Sequence, residues 1–322
     1  MPRPYTGPVG RQDLSIDVVS QQMSSAVPDK ITAVATAYHP DERLLAVIEA
    51  ALTACTEVIV IDNTPGGGAV LADDLPDRVR VLRPESNLGL AGALNLGLRE
   101  LGPDADAVLL LDQDSVLPEQ LVRQLAAHLD NPQVGAVAPA PWDEIRGSFI
   151  DPRTVLRPDV ADRDAVITSG MLVRRELLDR LGGFRTDFFV DCVDQDFCLR
   201  LRRTGARILQ DKRVKLPHSL GNVVEHKFLI GHVRASHHPT WRLYWVFRNG
   251  VVLVRENITR TPTWCLASIL IMIRWLLLTA IYEKPRGKRL HAIWRGLVDG
   301  VRGRTDAAYI PAGGTVLAAD RK

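Results

Sequence analysis

Two aspartates one residue apart, Asp112 and Asp114, close an apolar run that reads Val108-Leu-Leu-Leu-Asp-Gln-Asp-Ser115. Residues i and i+2 of a strand point to the same side, so an extended chain would present both carboxylates to one ligand and turn Gln113 away. Paired carboxylates suit a hard divalent cation, and Mg²⁺ in such sites bridges to substrate phosphates. Most Asp-x-Asp triplets are solvated turn residues, so the triplet acquires meaning only from its context. A second acidic cluster, Asp191, Asp194 and Asp196, follows the aromatic pair Phe188-Phe189. The apolar spacing of Val193, Phe197 and Leu201 is helical. That places Asp194 and Asp196 in a first helical turn, where the helix dipole favours them and where a capping role alone would account for them. A carboxylate in a partly apolar setting beside other carboxylates titrates high and can serve as a general base. Two acidic clusters in different surroundings are what a metal-plus-base mechanism needs.

The elements that position these residues follow from hydrophobic period and punctuation. Residues 31–38 and 57–61 read as strands, the first closed by His39-Pro40 because the residue before proline is driven out of helical geometry. Between them Asp41 caps a helix to about Cys55, with Leu44, Leu45, Val47, Ile48 and Leu52 on a helical period. Strand, helix, strand is a βαβ unit with the carboxyl ends of its strands on one edge, where open α/β sheets bind ligands. The run Gly66-Gly67-Gly68 is not a dinucleotide fingerprint, because position 71 is Leu and no clear helix follows. A third strand at 79–82 leads into Asn87-Leu-Gly-Leu-Ala-Gly-Ala-Leu-Asn95, whose small residues permit close approach of a ligand or of another backbone. The helix stops at Gly102-Pro103, and the strand carrying Asp112 comes next.

Beyond Pro118 the pattern predicts a helix to about Leu129, a strand at 134–139, and an irregular excursion over 142–161 that could cover the crevice. An ordered piece at 166–173 leads to a helix at 175–181, ended by Gly182-Gly183. His226, His232, His237 and His238 crowd a stretch that could bind a diphosphate or an acceptor, but no helical His pair stands out. Residues 264–282 approach the length of a membrane span. Arg274 near the middle would cost about 2.5–3.5 kcal/mol at a bilayer centre, and Lys284, Arg286, Lys288, Arg289, Arg295, Arg302 and Arg304 follow. A helix lying in the interface, with basic residues toward anionic headgroups, fits this pattern; a packed interior helix is the bland alternative.

The chain has 322 residues, 46% hydrophobic and 24% charged, with a net charge of +2. That is an ordinary globular composition, and it makes no case for nucleic-acid binding. The four cysteines have no Cys-x-x-Cys spacing, which argues against a zinc site or a disulfide framework and for a reducing, cytoplasmic setting. The domains expected are a flexible tail at 1–29, a catalytic domain at 30–262 and a helical, membrane-associating region at 263–322.

Taken in order, Thr36-Ala-Tyr38, Ile61-Asp62-Asn63, Asn87 to Asn95, Asp112-Gln-Asp114-Ser, Ser169-Gly170, Gly182-Gly-Phe184, Val193-Asp-Gln-Asp-Phe-Cys-Leu-Arg200 and Leu243-Tyr-Trp-Val-Phe-Arg-Asn249 resemble the inverting, A-type glycosyltransferases of family 2. Within them the chain is similar to bacterial rhamnosyltransferases, a likeness that the closing Arg295-Gly-Leu-Val-Asp-Gly-Val-Arg-Gly-Arg304 shares. The resemblance implies an A-type glycosyltransferase fold, a Rossmann-like, mostly parallel sheet flanked by helices. It implies Mg²⁺ or Mn²⁺ at Asp114, with His218 as a further metal ligand, and Asp112 near the ribose. Asp62 would bond the pyrimidine, Thr36 and Tyr38 would line its pocket, Asn87 and Asn95 would support the sugar-nucleotide loop, and Arg248 would contact the leaving diphosphate. Asp194 would be the base, although Val193 stands where the family has Glu, which leaves Asp191 and Asp196 as substitutes. The reaction implied is transfer of one sugar, L-rhamnose from dTDP-β-L-rhamnose, to a polyprenyl-diphosphate-linked saccharide on the cytoplasmic face of the cell membrane, in polysaccharide or cell-wall synthesis. A homodimer is left open. The alternatives are another UDP- or dTDP-sugar, or a metal-dependent nucleotidyltransferase, which would release pyrophosphate instead of a nucleoside diphosphate. Similarity to processive synthases stops at Arg274-Trp275, since position 271 is Ile.

Overall fold

The computed structural model describes residues 27–68, 71, 75–218, 223–227, 232–236 and 238–317. Most of the tail expected at 1–29, and His237, lie outside the described residues. Strands β1 (Ile31–Ala37), β2 (Glu57–Asp62), β3 (Val79–Leu82) and β4 (Ala107–Asp112) are parallel in the order β3-β2-β1-β4. Helices α1 (Arg43–Leu52) and α2 (Gly89–Arg99) connect them, as right-handed crossover geometry requires of parallel neighbours. The runs 58–61 in β2 and 107–111 in β4 are continuously apolar because both faces are covered, whereas the edge strand β3 carries Arg80 and is only half-buried. Val34, Ile59, Ile61, Val108 and Leu110 enter one core cluster, whereas Ala33, Ala35, Val58, Val60, Leu109 and Leu111 enter another on the opposite face. The register sets Thr36 beside Asp112 and Ala37 beside Asp62, so the strand ends stand level at one edge.

After the helix α3 (Leu121–Ala126), which tightens to 3₁₀ geometry over Ala127–Asp130, the sheet changes character. Strand β5 (Val134–Asp143) does not join β4 directly. Edge strands β6 (Ser148–Phe149) and β7 (Val160–Asp162) precede β8 (Met171–Arg174), which runs antiparallel between β4 and β5. Helices α4 (Arg175–Leu181) and α5 (Val193–Arg203) lead to β9 (Arg207–Pro217), parallel to β5. The excursion expected to cover the crevice does not do so. It supplies β6 to β5 and β7 to the free edge of β9, because extended segments beside an open edge gain ladder hydrogen bonds there.

His226 and His232 fall on a two-stranded hairpin, β10 (Val223–Lys227) and β11 (His232–Ser236). Three helices follow: α6 (Thr240–Asn257), α7 (Pro262–Tyr282) and α8 (Arg286–Arg302). Helices α6 and α8 pack closely; a Cβ on Gly296 would lie 2.5 Å from the Tyr244 carbonyl oxygen. Within α7 only Cys265 and Thr279 are buried, while Leu266, Leu270, Ile273, Leu277 and Ile281 form an exposed apolar stripe at helical spacing. Its other side, with Met272, Trp275 and Leu276, packs on Leu243, Phe247 and Ile293. Helix α7 is long and apolar enough to cross a membrane, with a mean hydropathy of 2.1.

Candidate active site

Strand geometry ends at Asp112, and Gln113-Asp114 is a turn. The alternation expected of an extended chain therefore fails: Gln113 faces the same cavity as both aspartates, and its Oε1 accepts the Tyr38 N–H at 2.7 Å. His218, just past β9, comes to the same place. One ligand atom each from Asp112, Asp114 and His218 lie within 4.8 Å of one another. Burial pushes the Asp112 carboxyl up; His218 pulls it down, the Asp114 charge pushes it further up and the Ser169 hydroxyl pulls it down. His218 Nδ1 is buried and has no hydrogen-bond partner among the described residues. Two carboxylates and an unpartnered imidazole nitrogen fit a divalent cation, which would answer both the like-charge crowding and the orphaned nitrogen. Asp112, expected near a ribose, thus joins Asp114 and His218 in one possible ligand set.

The cluster opens into a cavity of about 680 Å³ lined by Thr36, Tyr38, Asn63, Asn87, Phe189, Trp241 and Arg242, among others. Its β2–β3 side is built by a pair of buried amides. Asn63 Nδ2 donates to Asn87 Oδ1 at 2.8 Å and Asn63 Oδ1 accepts the Leu88 N–H at 2.8 Å, while Asn87 Oδ1 also accepts the Gly89 N–H at 2.8 Å. Gly89 sits at φ +69°, where a Cβ would lie 2.2 Å from the Phe189 carbonyl oxygen. Only glycine admits that approach, and the Phe189 carbonyl uses it to accept the Leu90 N–H at 2.7 Å.

Opposite stands the acidic loop. Asp191 and Cys192 are both left-handed, with φ of 57° and 60°, at a cost of roughly 1–2 kcal/mol each for residues with a Cβ. Helix α6 holds them there. Arg242 forks onto Asp191, with Nε–Oδ2 at 2.9 Å and Nη2–Oδ1 at 2.8 Å. Asn249 Nδ2 donates to the carbonyls of Val190 and Asp191 at 2.8 and 2.9 Å. Asp196 is nearly fully buried and paired with Arg200 at 2.7 Å and Arg185 at 3.7 Å. Asp194 makes no ion pair among the described residues; its Oδ1 accepts the Gln195 N–H at 2.9 Å. Burial pushes its carboxyl up to about 6, against the pull of that N–H and with the help of the Asp191 and Asp112 charges.

Asp194, the expected base, is not among the residues that line the cavity, and three further expected contacts lie outside its wall. Asp62 is fully buried and turned into its own loop, accepting from the Gly68 N–H at 2.5 Å and the Thr64 N–H at 3.2 Å. Asn95 clamps Phe184 through two 2.7 Å bonds to its backbone. Arg248 is 2% exposed, bonding Asp187 Oδ2 at 2.9 Å and the Arg304 carbonyl at 3.0 Å. Each of these side chains has its hydrogen-bond partners within the fold. Arg242 and Trp241 line the cavity instead, and reading the α6 pattern one heptad back from Asn249 would have found Arg242. His238 also lines it, its ring stacked on Trp275 of α7 at 5.2 Å.

The chain is 25% identical over 243 residues to the dTDP-rhamnosyl transferase RfbF of Shigella flexneri, covering 70% of this chain and 80% of that one. It is also 25% identical over 154 residues to an uncharacterized glycosyltransferase of Haemophilus influenzae, covering 45% and 51%. The crystal structure of S. aureus TarS superposes with a TM-score of 0.54 at 13% identity, over 87% of this chain and 50% of that one, a likeness of fold. Residues 32–197, just over half the chain and the stretch holding Asp112, Asp114 and Asp194, match the model of glycosyl transferase family 2. On that match, and with this sheet, the chain belongs to glycosyl transferase family 2 and is a glycosyltransferase.

Proposed function

We propose that this glycosyltransferase moves a single L-rhamnosyl group from dTDP-β-L-rhamnose, with inversion, to a lipid-linked saccharide at the cytoplasmic surface of a membrane. The observation that supports the chemistry is the Asp112–Asp114–His218 cluster in the cavity wall, together with Asp194 in the neighbouring acidic loop, a carboxylate with no ion pair among the described residues whose titration is raised by burial and by the Asp191 and Asp112 charges. The likeness to a dTDP-rhamnosyl transferase supports the choice of donor. Asp112, Asp114 and His218 would hold Mg²⁺ or Mn²⁺, which when bound offsets the charge of a diphosphate leaving group.

The protein's own residues do the rest. Asp194 accepts the proton of the acceptor hydroxyl as that oxygen attacks the anomeric carbon from the face opposite the leaving diphosphate. Asp191 cannot substitute while Arg242 holds it bidentate, and Asp196 is committed to Arg200 and Arg185. Thr36, Tyr38, Asn63 and Asn87 offer a polar wall for the nucleoside. The exposed apolar stripe of α7, with Lys284, Arg286 and Lys288 following it, supports an in-plane seat on an anionic membrane. The test is a panel of dTDP- and UDP-sugars, each assayed for nucleoside diphosphate release with Mg²⁺ or Mn²⁺ and a lipid-linked acceptor. Preference for a different sugar would remove rhamnose from this reading; release of pyrophosphate would replace glycosyl by nucleotidyl transfer.

A further inference from the structure

The segment that follows α8 does not leave the catalytic domain. It runs back to the strand ends through an anchor on α6: the Tyr309 ring stacks on Tyr244 at 4.3 Å with planes 4° apart, Trp245 Nε1 donates to the Tyr309 carbonyl at 2.9 Å, and the Asp306 N–H donates to the Tyr244 hydroxyl at 2.8 Å. Past that anchor the chain pairs with Asn87 as a parallel β-bridge. The Asn87 N–H donates to the Gly313 carbonyl and the Thr315 N–H donates to the Asn87 carbonyl, both at 2.8 Å. Between anchor and bridge, Pro311 enters the wall of the cavity. The family match ends at residue 197, so this wall comes from a part of the chain that the match does not reach.

We infer that the C-terminal segment 306–315 is part of the nucleotide-binding site, forming the wall against the nucleoside of a bound nucleoside diphosphate sugar and fixing Asn87 beside it. The topology sets which part of the ligand it meets. The carboxylate–histidine cluster lies at the ends of β4 and β9, so a diphosphate belongs there. Asn63 and Asn87 lie toward the β2–β3 side of the same edge, and Pro311, three residues before the Gly314 that bridges to Asn87, lines the same cavity. Both backbone polar groups of Asn87 are taken by the segment, while its side chain orders Asn63 and the start of α2. Loss of the bridge would therefore loosen the polar wall as well as remove the apolar one. This inference rests on the nucleotide-sugar reading but on neither rhamnose nor the membrane.

Two variants and one measurement on the wild type test it. A Cβ at Gly313 would lie 2.7 Å from Pro65 Cγ, at φ +75°, so Gly313→Val should lift the segment from the strand ends while leaving the Tyr309 anchor in place. Pro311→Ala should open the wall with the bridge intact. Binding of dTDP and of UDP with Mn²⁺ is followed by calorimetry, and amide exchange of residues 306–315 by mass spectrometry. The expected result is about tenfold weaker nucleotide binding in Gly313→Val, a smaller loss in Pro311→Ala, a raised donor KM with little change in kcat, and slower exchange of the segment when nucleotide binds the wild type. Unchanged affinity in both variants, or exchange in the wild type indifferent to nucleotide, overturns the inference even should Gly313→Val fold poorly. Failure of the wild type to bind either nucleotide instead overturns the nucleotide-sugar reading on which it stands.

Discussion

The half-buried Asp194 carboxyl, beside the Asp191 and Asp112 charges, is raised to about 6 in the folded protein, against about 3.9 for a free aspartate. At 1.36 kcal/mol per unit, the charged group destabilises the fold by about 3 kcal/mol at neutral pH. The folded pKa of this acid is raised, so the penalty is complete above about pH 6 and absent below about pH 4, where both states bind the proton. Asp194→Asn is therefore expected to raise the melting temperature at pH 7 and leave it unchanged near pH 4, as scanning fluorimetry would read. The same variant should lose turnover by ~10²–10⁴ while nucleotide affinity holds, the pattern of a group needed chiefly in the transition state. In the wild type, the rate should rise through about pH 6 and then level as Asp194 becomes a competent base. Activity retained in Asp194→Asn but lost in Asp191→Asn or Asp196→Asn would move the base along the cluster. Asp114→Asn and His218→Ala should each abolish Mn²⁺-dependent binding of a nucleoside diphosphate, and undiminished binding in both would remove the metal site.

At the scale of elements, the junction of the acidic loop with α6 carries the positional burden. Two consecutive left-handed residues with side chains are tolerated because surrounding bonds over-determine them; here Arg242 grips the Asp191 carboxylate and Asn249 grips the carbonyls behind it. Asn249→Ala leaves the Val190 and Asp191 carbonyls without that donor, at a cost of about 1–3 kcal/mol. Thermal denaturation should show a melting temperature lower by several degrees, taking roughly 2–4 °C per kcal/mol for a domain of this size. Because the loop leads straight into Asp194, kcat should fall more than nucleotide affinity. Arg242→Lys should not restore what Arg242→Ala loses, since an ammonium cannot reproduce the planar two-point contact; full recovery in the lysine variant would show that only charge matters there.

For the whole molecule, α7 is both outer surface and part of the frame behind the cavity. One side of it packs on α6 and α8 and reaches His238 through Trp275, and the other presents the apolar stripe. On the membrane reading, Leu270→Asp with Leu277→Asp should abolish sedimentation with anionic vesicles while activity on a detergent-dispersed acceptor persists. Raising the salt should weaken vesicle binding of the wild type, because the basic residues after α7 are screened over about a Debye length. Equal binding to neutral and anionic vesicles would sink the electrostatic part of the account, and vesicle binding by the double variant would sink the apolar part.

Local pattern alone determined the sheet's parallel half. Runs such as 58–61 and 108–111 are apolar at every position because both faces are buried, and the turn residues after them are polar because the strands end at solvent, so strand, helix and edge could be read without a partner in view. The acidic clusters were legible for the same reason, as charges interrupting apolar order. What local pattern could not carry was anything decided by distant chain. Extrapolating strand alternation past Asp112 misdirected Gln113, because the strand stops where its neighbours stop. Asp62, Asn95 and Arg248 take their partners from within the fold, and a polar side chain gives no local sign of which partner it will find. Arg242, His218 and Pro311 reach the cavity from α6, from the end of β9 and from the C-terminal segment, and only closure of the tertiary structure brings them to the edge that β1 to β4 had already prepared.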